Sequence, residues 1–296
     1  MNIIGIDLGG TNVKGLVITQ TGEVIKQHYI PTKDTGDGSW RNNVKEMADY
    51  LQAYLGEPAS GIGLSAPGLP DAQNRCISFL PNRLNGLENF MWEEYLNAPT
   101  YVLNDAHAAL MAESVFGAAK GKDNVVLLTL GTGVGGGILI NGQLYQGLAQ
   151  MAGHIGHLSI DSATDELSIL GMPGSLEYSV GNYSVSKRSM GKFESTFELV
   201  EAYKKGDPWA SYLWLTSLRK LALAICSLTN TLSPQLVVLA GGITLADQDL
   251  FEPLKAFMDI YEWRPGGKQT EVVQATYGDM AGALGAASFV LKKLTN

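Results

Sequence analysis

Cysteine is nearly absent from the chain: Cys76 and Cys226 are the only two among 296 residues. That excludes a disulfide framework and a CxxC metal pair, and the apolar surroundings of both residues read as buried free thiols in a reducing compartment. Basic runs are missing as well. Twenty-one Lys and Arg stand against 29 Asp and Glu, for a net charge of −8, and they nowhere cluster as phosphate neutralisation along a nucleic acid requires. A nucleotide, which needs only a local pocket, is not excluded. The N-terminus, MNIIGIDLGG, lacks the charged region and long apolar stretch of a signal peptide. Later apolar stretches are broken before they reach bilayer-spanning length. The expectation is a cytoplasmic protein with no membrane and no nucleic-acid partner, long enough for about two domains.

What is abundant is glycine, and it concentrates where chemistry is expected. Leu127 to Ile140 reads LLTLGTGVGGGILI: an apolar run, a turn rich in glycine, then a second apolar run. Such a turn lets a ligand approach the main chain and presents backbone N–H groups to an anion. The GxGxxG-like spacing invites a dinucleotide reading, which demands a helix directly after the glycines. Here Ile138, Leu139 and Ile140 follow, then Asn141-Gly142, a strong hairpin signal. The pattern is strand, turn, strand, which disfavours a dinucleotide oxidoreductase. The N-terminus repeats it: NIIGID, VKGLVI and EVIKQHY are three strands joined by short glycine connections, an antiparallel meander. Its first turn, Asp7-Leu8-Gly9-Gly10-Thr11-Asn12, is not a Walker A loop, which needs GxxxxGK[ST] leading into a helix. Two similar glycine turns point to a duplicated architecture, with each half offering N–H groups to one end of a polyphosphate.

Between and beyond these turns the periodicities alternate. Helical spacing runs from Trp40 to Leu55, with Val44, Met47, Ala48, Leu51 and Leu55 on one face. Gly61 to Ser65 is a short strand running into the rigid loop Ala66-Pro67-Gly68-Leu69-Pro70-Asp71. Tyr101 to Leu103 is a strand that stops at Asn104-Asp105, and a helix begins at once. Asp105 is therefore either the cap of that helix or a carboxylate held at a strand's carboxyl end, where open α/β sheets place ligands. Gly153-His154-Ile155-Gly156-His157 holds half of the four histidines, close in sequence to the second glycine turn; no cysteine or third nearby histidine supports metal ligation. Pro208 opens a long, mostly apolar helix ending near Leu232. Gln235 to Ala240 is a strand turned by Gly241-Gly242, and Ala281 to Leu294 is a closing helix with Gly282, Ala283, Gly285 and Ala286 on one side.

Taken in order, the segments Asp7 to Lys14, Gly131 to Gly137 and Leu239 to Gly242 resemble the two phosphate loops and the adenosine loop of the actin-like, hexokinase-type ATPases. More specifically the chain resembles the ROK family of bacterial sugar kinases and sugar-responsive repressors. Gly63 to Asp71 is similar to that family's sugar-side loop, Asn104-Asp105-Ala106 to its catalytic Asn-Asp, and Gly153 to His157 to its Glu-x-Gly-His motif. The resemblance implies a two-lobed α/β fold of the ribonuclease H type, with duplicated mixed-sheet domains and a cleft between them. The smaller lobe is expected at 1–117, completed by the helix at 280–296, and the larger at 118–279. It implies an ATP-dependent kinase acting on a hexose or N-acetylhexosamine, with Mg²⁺ carried by ATP near Asp7 and a homodimeric state. Asp105 would be the general base. Ser65, Pro67, Gly68, Asn82, Asn104, His154, His157 and Glu177 would bind the sugar. Asp7, Gly9, Gly10, Thr11, Asn12, Lys14, Gly131, Thr132, Gly133, Gly241 and Gly242 would bind ATP.

Two departures from the family pattern stand out. The Glu of Glu-x-Gly-His is His154 here, which exchanges an obligate acceptor for a group with one donor and one acceptor. The family's zinc loop, Cys-x-Cys-Gly-x-x-Gly-Cys-x-Glu, reads Ser168-Ile169-Leu170-Gly171-Met172-Pro173-Gly174-Ser175-Leu176-Glu177. Without thiolates no structural zinc is expected, which leaves His157 to bond the sugar. The departures keep one alternative open, a catalytically weak sugar or nucleotide sensor of the same family. The repressors place a DNA-binding domain ahead of the first phosphate loop; here that strand starts at Asn2, so repression is not expected.

Overall fold

The computed structural model describes residues 1–32, 36–80 and 83–295. The chain divides into two compact units. The first comprises Met1–Gly121, Leu144–Ala152 and Thr276–Asn296, and the second comprises Lys122–Gln143 and Gly153–Ala275.

In the first unit the expected meander is present as β1 (Asn2–Leu8), β2 (Asn12–Thr19) and β3 (Val24–Pro31), antiparallel throughout. Helix α1 (Trp40–Leu55) follows, then β4 (Gly61–Ala66), a small ribbon of β5 (Leu69–Pro70) and β6 (Ile77–Phe79), and α2 (Trp92–Leu96). β7 (Thr100–Asn104) passes without a break into α3 (Asp105–Val115). The sheet order is β3-β2-β1-β4-β7, with β4 parallel to both β1 and β7.

Both faces of this sheet are buried, and the period of two sorts its residues. Ile4, Ile6, Val13 and Val17 share a cluster with Val44, Met47 and Leu51 of α1. Ile3, Leu16 and Ile18 share one with Ala283, Ala287 and Val290 of the closing helix Ala281–Thr295. The small residues of that helix and of the strands beneath it are needed for contact: a Cβ on Gly5 or Gly63 would lie 2.1 Å from the carbonyl oxygen of Ala283 or Ala286.

The second unit repeats the plan. β8 (Val125–Leu130) and β9 (Val134–Ile140) form an antiparallel hairpin from Val125↔Leu139 to Leu130↔Val134, so no helix follows the glycines and the phosphate-loop helix of a dinucleotide fold is absent there. Asn141 and Gly142 both take positive φ, 51° and 70°, as a tight hairpin turn requires. β10 (Gln143–Leu144) flanks β9. The short helices α4 (Leu176–Val180) and α5 (Val185–Arg188) precede α6 (Thr196–Lys204) and α7 (Pro208–Leu232). β11 (Leu236–Ala240), α8 (Gln248–Tyr261) and β12 (Glu271–Gln274) complete the unit, and the closing helix is α9. The order β10-β9-β8-β11-β12 mirrors the first sheet, again with parallel strands added beyond its first member. Asp207 caps α7 through Ala210 N, with Pro208 at the first helical position. Leu218, Leu221 and Ile225 of α7 pack with Val126, Leu128 and Val237 of the sheet.

The division into units differs from the expected lobes. The first passage out of the first unit falls after Gly121 rather than 117, the last return falls at Thr276 rather than 280, and the two units are nearly equal in length. The segment Leu144–Ala152, expected in the second lobe, returns to the first unit. Leu144 packs against Leu103, Ala108, Met111 and Phe289. His107, fully buried on α3, bonds the carbonyl of Ala152 through Nε2 at 2.9 Å. No helix among the described residues is long and apolar enough to cross a membrane.

Candidate functional site

In the first unit the first glycine turn lies between β1 and β2. Gly9 N donates to Asn12 O across it at 3.2 Å, and Thr32 Oγ1 donates to Gly9 O at 2.7 Å. Gly10 meets open space where a side chain would stand, and Thr11 is exposed. Asp7, at the end of β1, accepts from Ser65 Oγ at 2.7 Å. Burial pushes its carboxyl up to about 6, against the lowering effects of the Ser65 bond and of Lys14, while Asp105 and Asp279 raise it further through charge. The start of α9 abuts this carboxylate: a Cβ on Gly282 would lie 2.5 Å from Asp7 Cγ.

Several side chains expected to touch ligands also make bonds within the protein. Ser65 is fully buried beneath Asp7. Lys14 Nζ reaches Asp279, at 2.6 Å to Oδ1 and 3.0 Å to the carbonyl oxygen. Asn104, not Asp105, is the cap of α3. Its Oδ1 accepts from Ala106 N and His107 N, and its Nδ2 donates to Gly68 O at 3.0 Å. The asparagine thereby ties the Pro67-Gly68 loop to the start of the helix, and Gly68 takes φ 100° with Ile77 and Phe79 filling the space of a Cβ. Asp105 occupies the first helical position, is exposed, and accepts from its neighbour Ala106 N at 2.8 Å. Asn82 lies outside the described residues.

In the second unit the second glycine turn is fixed by its carbonyls. Gly131 O accepts from Asn182 N and Thr132 O from Tyr183 N, both at 3.0 Å. A carbonyl so consumed is not available to repel an anion. Glu177 braces the same turn from below. It is 6% exposed, accepts from Val134 N and Ile169 N at 3.4 Å, and packs where a Cβ on Gly133 would stand. His157 Nδ1 is buried without a hydrogen-bond partner, 4.0 Å from Glu177 Oε1. The rings of His154 and His157 lie nearly parallel, with centroids 6.3 Å apart.

The serines at the thiolate positions serve the backbone. Ser168 Oγ accepts from Leu170 N and Met172 N, and Ser175 Oγ caps α4 through Tyr178 N. Leu170 is largely exposed. This donor set does not fit a thiolate-held zinc ion. Among the described residues no group of three or more His, Cys, Asp or Glu is placed to hold a metal ion.

Gly131, Thr132 and Gly242, from segments more than a hundred residues apart, line one cavity of about 340 Å³. Gly241 turns at φ 95°, where a Cβ would strike Leu130 O. The remaining walls carry no sequence motif: Asn182, then Thr196, Phe197, Val200, Glu201 and Lys204 from α6, then Ile243, Leu245 and Ala246. The i, i+3, i+4, i+7 spacing of Phe197, Val200, Glu201 and Lys204 places them along one helix face. It is the only trace of the wall in the sequence.

Known proteins share the whole plan. The ROK family profile matches residues 3–293. A glucokinase of Halalkalibacterium halodurans is 30% identical, over 97% of this chain and 94% of its own. An N-acetylmannosamine kinase of Vibrio cholerae is 31% identical, over 99% of this chain and all of its own. The crystal structure of a ROK hexokinase from Thermus thermophilus matches with a TM-score of 0.85 at 30% identity, covering 97% of each chain. The fold is the duplicated, actin-like arrangement anticipated from the glycine turns.

Proposed function

This chain belongs to the ROK family, and on that premise we propose that it is an ATP-dependent sugar kinase transferring the γ-phosphate to a hydroxyl of a hexose or N-acetylhexosamine. The observation that carries this reading is the cavity that unites Gly131 and Thr132 with Gly242. A volume of that order suits a small-molecule ligand. One of its ends is a glycine turn whose carbonyls are already bonded; the Gly131 N–H donates to Gly133 O, which leaves the Thr132 and Gly133 N–H groups for phosphate. Asp105 is the general base: an exposed carboxylate at the start of α3 can accept the proton of an attacking hydroxyl. The kinase names of the similar proteins point the same way.

The Asp7 carboxylate suits a site for Mg²⁺ that arrives with the nucleotide. Such an ion takes one or two carboxylates plus substrate phosphates, and burial, with a smaller push from the Asp105 and Asp279 charges, disfavours the charged form of Asp7 in a way that a bound cation would offset. When bound, the ion neutralises phosphate charge. The protein's part is to hold Asp7 through Ser65 and to keep it ionised. Because the Asp7 carboxyl lies near 6, a raised value, its charged form is lost as pH falls through that point. At low MgATP, kcat/KM is expected to fall about tenfold per pH unit below about 6. A pH–rate profile flat from 5 to 7 counts against a role for Asp7.

The deciding test is a coupled ADP-release assay over a panel of hexoses and N-acetylhexosamines. The protein is first stripped with chelator and then given Mg²⁺ alone. Turnover of at least one sugar is expected, without zinc. Sugar binding without turnover across the panel supports the sensor reading, and activity that returns only with zinc overturns the zinc-free reading of the Ser168–Glu177 loop.

A further inference from the structure

One residue that lines the cavity of the second unit carries a buried polar atom that the protein leaves unsatisfied. Thr196 is 6% exposed, yet its Oγ1 has no hydrogen-bond partner although the residue lines the cavity. Buried hydroxyls almost always find a partner. Thr196 is also not a disposable surface residue. It is the first residue of α6, directly after the cap Ser195, which accepts from Glu198 N. Its backbone N–H donates to Asn182 Oδ1 at 2.7 Å, and Asn182 N in turn donates to Gly131 O at 3.0 Å. The threonine is thus tied to the phosphate turn through one intervening side chain.

This linkage gives Thr196 a place along the cavity. Gly131 and Thr132 belong to the phosphate turn. From Thr196 onward, Phe197 and Val200 continue along one face of α6, and Leu245 and Ala246 supply further apolar wall. Phe197 and Leu245 are both largely exposed, at 75% and 79%, as large apolar surfaces awaiting a flat apolar partner would be. Thr196 and Asn182 stand between the anion-binding turn and these apolar walls. In a nucleotide, the group between the phosphates and the base is the ribose.

We propose that Thr196 Oγ1, braced by Asn182, hydrogen-bonds a ribose hydroxyl of the donor nucleotide and makes the enzyme select ribonucleotides over deoxyribonucleotides. The assignment rests on the nucleotide reading of this cavity given above. A hydroxyl can donate to or accept from another hydroxyl, whereas a phosphate would call for N–H donors or cations. The ion pair of Glu201 with Lys204 lies further along the helix face and is solvated, so it does not compete for the threonine.

The test is calorimetric titration of the intact protein with ADP, 2′-deoxy-ADP and 3′-deoxy-ADP, with no sugar present. The wild type is expected to bind ADP about tenfold more tightly than at least one deoxy form, which corresponds to about 1.4 kcal/mol. Thr196→Val keeps the shape and the β-branch and loses only the hydroxyl. It is expected to bind ADP and that deoxy form equally, at the deoxy form's affinity. Thr196→Ser keeps the hydroxyl and is expected to retain the discrimination, which separates a recognition role from damage to α6. A Thr196→Val protein that still discriminates overturns the proposal, as does a wild type that binds all three nucleotides equally. A wild type that binds none of them overturns the nucleotide reading of the cavity as well, so the two failures are told apart.

Discussion

Asp105→Asn is expected to cut sugar phosphorylation by about 10²- to 10⁴-fold, the usual range for loss of a positioned general base. The protein's stability should scarcely change. The carboxylate is exposed, one hydrogen bond it accepts comes from the adjacent Ala106 N, and asparagine keeps an oxygen in that place. Capping of α3 is the work of Asn104, whose Oδ1 takes two of the free N–H groups of the first turn. What asparagine removes at this helix N-terminus is a negative charge, about 0.3–1 kcal/mol. That amounts to a shift of a few degrees at most in a chain of this size. Asparagine keeps the volume and removes the basicity, so the variant separates chemistry from packing. The measurement pairs the coupled ADP assay with a thermal melt. Retention of more than about a tenth of wild-type kcat with an unchanged melt assigns the base elsewhere.

The largest effect on stability is expected from Glu113→Ala. Glu113 lies on α3 and is 1% exposed, a place where carboxylates are rarely found without strong bonds. Its Oε1 accepts from Tyr277 N at 2.7 Å and its Oε2 from Ala118 N at 2.8 Å. Its own carbonyl accepts from Gly117 N and Ala119 N, both at 3.1 Å. Ala118 lies three residues before Gly121, where the chain first leaves the first unit, and Tyr277 immediately follows its final return at Thr276. One carboxylate therefore anchors both strands of the connection. Hydrogen bonds to a charged group contribute about 1.5–3 kcal/mol each, so removal of both, with two N–H groups left unsatisfied, should cost about 3–5 kcal/mol. Glu113→Gln keeps an acceptor for one N–H and should lose roughly half as much. Urea unfolding followed by tryptophan fluorescence measures the difference. A loss below about 1 kcal/mol in the alanine variant contradicts this account of the connection.

Much of the fold was legible because it is written in short-range patterns. The β8–β9 hairpin announced itself through apolar runs around glycine and the Asn141-Gly142 turn. The limits of α1 and the start of α7 followed from apolar spacing and from Pro208, and α7 ends at Leu232, near which its end was expected. The repeated strand–glycine–strand pattern gave away the duplication. Less legible was what each polar residue near the glycine turns is bonded to. Ser65 bonds Asp7, Lys14 bonds Asp279, Asn104 bonds the α3 first turn and Gly68, and Glu177 bonds the second glycine turn. Each of these partners except the α3 first turn is tens to hundreds of residues away, and nothing local encodes it. The grouping of Leu144–Ala152 with the first unit was not legible for the same reason, since its tether is a histidine on a helix that precedes it by about forty residues.

By itself, then, the sequence determined the class of fold, the positions of the two glycine turns and the carboxylate that closes β7, because turn chemistry and hydrophobic period act over a few residues. The absence of thiolates in the Ser168–Glu177 loop was likewise a matter of composition. The tertiary structure alone decided which side chains remain available to a ligand. It buried Ser65 against the Asp7 carboxylate and Glu177 against the second glycine turn, and it left the hydroxyl of Thr196, a residue lining the cavity, without a partner. Availability depends on the hydrogen bonds a group does not make, and those can be counted only when distant segments are packed around it.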